Sequence, residues 1–154
     1  MSAKYKEQLD RAKRYLELWR SVNGGKVHDR PPDYYDDTVI TFFLHCYHVK
    51  DWIKVEEITP TGSKSKVEEF VNMTRELAIC ADICNASKHV ERRVQDKPRS
   101  DADTKMSSGR FISLTLGGGQ QTIAIKYTIE TGCGRLDAFA LAEKCIAAWD
   151  SFTP

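Results

Sequence analysis

The sequence predicts an α+β domain that is mainly α: a four-helix bundle with a β-hairpin inserted before the C-terminal helix. Three observations predict it. Apolar residues recur at three- and four-residue spacing along four long stretches. Strict alternation of apolar and polar residues is confined to two segments, Ile112–Leu116 and Ile123–Glu130. Gly117-Gly118-Gly119-Gln120-Gln121 stands between those two, as a hairpin turn should. A chain of 154 residues fits one domain spanning 1–154 and is long enough to bury a core.

The first helix is expected over 3–22, with Tyr5, Leu9, Ala12, Leu16 and Trp19 on one stripe and Asn23-Gly24-Gly25 as its stop. His28 to Asp33, with Pro31-Pro32, reads as a loop in which His28 is exposed. The second helix, from about Tyr34 to Ile53, has a broad apolar face that includes Phe42, Phe43, Cys46 and Val49. His45, His48 and Trp52 share a stripe beside that face. The third helix is expected to run unbroken from Ser65 to Val90, with Phe70, Met73, Leu77, Cys80, Cys84 and Ser87 inside. Residues 91–110 show no period and read as a polar loop.

The hairpin occupies about 111–130, and its Ile123, Ile125, Tyr127 and Ile129 face is expected on the helices, since an isolated hairpin is only marginally stable. The last helix, Leu136–Phe152, is apolar on two nearly opposite sides. That pattern suits a central helix or a subunit contact, and the second option motivates a homodimer.

Composition narrows the function classes. A net charge of +1 argues against strong overall attraction to nucleic acid or anionic lipid. No apolar run reaches the ~20 residues that span a bilayer, and the first residues lack the apolar core of a secretory signal. Five cysteines, an odd number, fit reduced thiols in a cytoplasm better than a disulfide framework.

The chemistry-bearing residues gather on two helices. Asp82, Asn85 and His89 fall three and four apart on the third helix, and polar groups on an apolar helix need partners. The second helix offers His45, His48 and Asp51, with Lys50 between the last two. The resulting binding set is His48, Lys50, Asp51, Asp82, Asn85, Lys88 and His89, with His89 and Asn85 as the candidates for acid–base work. The competing reading is a polar network that fixes helix register. A metal site from Cys80, Cys84, His89 and a histidine of the second helix is disfavoured, because Cys-x3-Cys on an apolar helix packs more often than it ligates. Neither Cys46/His48 nor Cys84/His89 has a nucleophile signature. No metal and no cofactor is expected.

The stretches Phe43-Leu-His-Cys-Tyr-His-Val-Lys-Asp-Trp52 and Cys80-Ala-Asp-Ile-Cys-Asn-Ala-Ser-Lys-His89, followed by a hairpin and Ala147-Ala-Trp-Asp150, resemble a group of small uncharacterised bacterial proteins. Their layout is similar to the HEPN (higher eukaryotes and prokaryotes nucleotide-binding) helical bundles. The resemblance implies a helical domain, often dimeric, that cleaves RNA, binds nucleotide or serves as a non-catalytic partner. The catalytic HEPN signature has an arginine with four to six residues between it and the histidine, whereas the corresponding positions before His89 hold Asp82, Ile83 and Cys84. Lys50, Lys88 or Arg92 would have to supply the missing cation. The expectation is therefore a non-catalytic HEPN-like interaction module for nucleotide or RNA. The alternatives are a metal-independent ribonuclease or toxin using His89, and a structural subunit of a larger assembly.

Overall fold

The computed structural model describes residues 3–57, 65–88, 104–113 and 122–154. They form five helices and a three-stranded antiparallel sheet in the order α1 (Lys4–Gly24), α2 (Pro32–Glu56), α3 (Lys66–Met73), α4 (Arg75–Lys88), β1 (Lys105–Ser113), β2 (Thr122–Thr131), β3 (Gly134–Asp137) and α5 (Ala138–Ser151). The class is the expected one, α+β and mainly α, with a hairpin ahead of the last helix.

Helices α1 and α2 run antiparallel. Arg11 lies over the Trp52 ring at 5.4 Å near one end of the pair, and Lys26 over Tyr35 at 5.8 Å near the other. Helix α5 covers a further side of α1, where Lys13 meets Asp150 at 2.7 Å and Arg20 meets Glu143 at 2.9 Å. Trp19 sits where these layers and the sheet converge, fully buried. Phe42, Phe43, Tyr127 and Phe139 all meet its ring edge to face, with centroids 5.5–5.9 Å away. Such contacts add to the stabilisation from burial alone.

Gly25 stops α1 at φ 96°, a conformation that costs glycine nothing, and a Cβ there would meet Ala124. The turn sends Lys26 into an antiparallel bridge with Ile123 of β2. His28 follows the same path, and this corrects its expected exposure. It is half-buried, 2.8 Å from the carbonyl of Ile123 and 4.5 Å from the Tyr35 ring. The loop is a seam between the helices and the sheet, so its histidine finds a backbone acceptor.

The third helix is not continuous. Thr74 takes an extended conformation (φ −95°, ψ 105°), closes α3 by donating its N–H to Phe70, and opens α4 by accepting from Ala78. The break resets the helical phase, so Met73, expected inside, is exposed. Ser87 is exposed as well, donating its hydroxyl to the Cys84 carbonyl. Ser65 starts α3 as its N-cap, while Glu57 accepts from the Ser65 hydroxyl and the Lys66 N–H at 2.7 and 2.6 Å. Pro32, read from sequence as loop, is the first residue of α2, where its fixed φ suits a helix start.

The sheet is larger than the alternation suggested. Strand β1 begins at Lys105, inside the stretch expected to be loop, and pairs with β2 from Lys105↔Glu130 to Ser113↔Thr122. A third strand, β3, pairs Thr131↔Gly134 through Thr128↔Asp137 and takes Leu136 out of the predicted helix. Asp137 then caps α5 by accepting from Ala140 N–H at 2.8 Å. Leu114, Leu116 and the glycine turn lie outside the described residues. Ile125, Tyr127 and Ile129 are buried on the helices as expected, and Ile123 is half-buried.

Both apolar sides of α5 are covered within the chain. Phe139, Leu141, Ala142, Cys145, Ile146 and Trp149 are all buried, and α1, α2, α4, β2 and β3 pack around the helix. Its two-sidedness reflects a central place in the fold, so it gives no support to a subunit contact. Among the described residues, no helix is long and apolar enough to cross a membrane.

Candidate functional site

Among the predicted site residues, Lys50 is buried. Position 50 lies on the α2 face that meets α3, and only 9% of its side chain is exposed. Its ammonium pairs with Asp51, stands 3.4 Å from Glu68 of α3, and lies 4.7 Å from the Tyr47 ring centroid. Burial works against its charge, but the hydrogen bond to Asp51 and the nearby Glu68 outweigh it, so its pKa stands above the ordinary lysine value. Lys54 also reaches Glu68, at 3.2 Å. The positive end of the site is thus neutralised by carboxylates of α2 and α3.

Asp82 is buried, Asn85 is half-buried, and both lie on α4, which packs against α2. Asp82 and half-buried His48 are each engaged with other groups. Lys50 and Asp51, expected to serve the polar end of α4, pair with each other, and Lys50 also reaches Glu68 of α3. His89 and Arg92, as well as the side chain of Lys88, lie outside the described residues.

His45 points elsewhere. The Gln8 amide stands 3.0 Å from its Nδ1, and Tyr15 stacks on its ring at 5.3 Å. Burial, then the charges of Arg11, His48 and Arg14, lowers its pKa. It belongs to the α1–α2 contact.

A different cluster was not legible in the sequence. Cys46 of α2, Cys80 of α4 and Cys145 of α5 bring their sulfurs within 4.8 Å of one another, and all three are completely buried. Cys84, one turn beyond Cys80 on α4, is not part of it. Backbone groups hold the three helices in place around the sulfurs. Cys80 Sγ donates to the Phe43 carbonyl at 3.6 Å, Cys145 Sγ to the Glu76 carbonyl at 3.3 Å, and Trp149 Nε1 to the Cys46 carbonyl at 3.0 Å. Hydrogen bonding among the sulfurs, with burial added, holds Cys80 and Cys145 well above the ordinary thiol pKa. The cysteines occupy core positions of three separate helices, and nothing in their spacing reveals that the helices bring them together.

No protein-family model, curated protein or solved structure matches the chain.

Proposed function

We propose that the chain is a HEPN-like interaction module without catalytic activity, acting in the cytoplasm with nucleotide or RNA as its ligand class and, on the resemblance rather than on α5, as a homodimer. The observation that carries the non-catalytic reading is the engagement of Lys50. In-line attack on a phosphodiester needs a cation to meet the developing charge. The lysine nearest the candidate residues of α2 is instead bound to Asp51 and Glu68 and withdrawn from water. Five free thiols, four of them buried, are consistent with a reducing compartment. The ligand class comes from the resemblance of the two stretches carried on α2 and α4, helices that pack together here.

The test is a cleavage and binding assay on one preparation. Wild-type protein should leave labelled single-stranded RNA intact in EDTA, and should raise its anisotropy in a salt-dependent manner. RNA cleavage that disappears in a well-folded His89→Ala protein would establish the ribonuclease alternative. Binding of neither RNA nor ATP would leave the structural-subunit reading in its place. Light scattering across the micromolar range tests the dimer, and a monomer mass throughout removes it.

A further inference from the structure

We propose that Cys46, Cys80 and Cys145 form a three-coordinate, all-sulfur site for a monovalent soft metal, Cu(I), at the junction of α2, α4 and α5. The inference is independent of the nucleotide or RNA reading. It rests on donor type, donor number and enclosure.

The three sulfurs already lie within 4.8 Å of one another. A trigonal metal with bonds of about 2.3 Å places its sulfurs about 4.0 Å apart, so contraction by less than about 1 Å closes the site. Soft sulfur donors favour Cu(I), zinc or iron–sulfur clusters over hard cations. Structural zinc takes four protein ligands. The described His, Cys, Asp and Glu side chains supply three donors at this point, and all of them are cysteines. Three sulfurs satisfy Cu(I) without a water, which suits a pocket where every donor is fully buried.

When Cu(I) binds, each of the three thiols releases its proton to solvent and each sulfur bonds the metal as a thiolate. Three thiolates and one Cu(I) leave a net charge of −2, which the three metal–sulfur bonds must outweigh in the core. No oxidation or reduction is involved. Because the donors come from three helices far apart in sequence, the site exists only in the folded chain, and metal binding adds to folding stability.

The experiment is anaerobic refolding of the full chain with Cu(I) supplied as its acetonitrile complex, followed by passage over a Cu(I) chelator. Metal content, X-ray absorption and thermal melting are then measured. Wild type should retain one copper per chain with three sulfur neighbours. At a hundred- to thousand-fold excess of free metal over Kd, its Tm should rise by about 5–15 °C. Cys46→Ala, Cys80→Ala and Cys145→Ala should each lose the copper, and Cys133→Ala should keep it, because Cys133 is exposed. Circular dichroism of the metal-free proteins confirms that each variant folds. For any alanine variant that does not, the serine variant replaces it and should also lose the copper. No retained copper, copper that survives Cys145→Ala in a folded protein, or one zinc held in preference to copper would each overturn the proposal.

Discussion

The amide nitrogen of Gln8 lies 3.0 Å from Nδ1 of His45 and 3.2 Å from the His45 carbonyl, so one buried side chain of α1 fixes both the ring and the backbone of α2. With the amide donating, Nδ1 must be the unprotonated nitrogen, and the neutral ring is the form that suits this contact. Stability should therefore depend on pH. His45 has a folded pKa below its unfolded value of 6.5, because burial and nearby positive charge disfavour imidazolium. Between those two values the unfolded chain binds the extra proton. Its contribution is therefore complete above about pH 6.5 and is lost as pH falls through the lowered folded pKa. Tm should decline over that acid window, and His45→Gln should flatten the decline. An equally steep profile for the variant would count against the assignment.

Lys50 separates the effect of charge from that of volume. Lys50→Ala removes both the ammonium and the buried stem, and should cost about 1–3 kcal/mol. Lys50→Met keeps the stem. Its former partners stay partly in water, and Glu68 still has Lys54, so the cost should be within about 1 kcal/mol. Urea unfolding of the two variants gives the comparison, and equal losses would show that the ion pair itself matters more than the packing.

Ile125 tests the hairpin. It is 1% exposed on the face that meets the helices. Ile125→Asp places an unpaired carboxylate there and should cost about 4 kcal/mol or more. An unchanged melting midpoint would mean that the face is open to water.

Trp19 tests the centre of the core. Trp19→Ala deletes a ring held by four others and should cost about 3–5 kcal/mol. Its neighbour Leu18 is half exposed, and Leu18→Ala should stay within about 1 kcal/mol. Denaturant midpoints for the pair check the contrast.

These residues also show what the sequence could reveal. Trp19 and Ile125 were legible because three-four spacing and strict alternation report directly on which face is buried. The break at Thr74 was not, since apolar residues continue across it and threonine is tolerated inside helices. Strand β1 before Phe111 was missed because Ser107, Ser108 and Gly109 carry no apolar alternation; its pairing with β2 is what makes it a strand. At the candidate site, Lys50 pairs with its neighbour Asp51 but also with Glu68, eighteen residues away in another helix, and the partner of His45 lies thirty-seven residues away. Chain-local patterns name such polar groups without naming what they bind.

The cage around Trp19 has a consequence for synthesis. Two of its walls, Phe42 and Phe43, come from the next helix, but the other two, Tyr127 and Phe139, come from beyond residue 120. A ribosome adds about 5–20 residues per second, so the α1–α2 pair emerges several seconds before its central indole is fully covered. During that interval the nascent chain presents an aromatic surface that only the arrival of β2 and α5 covers.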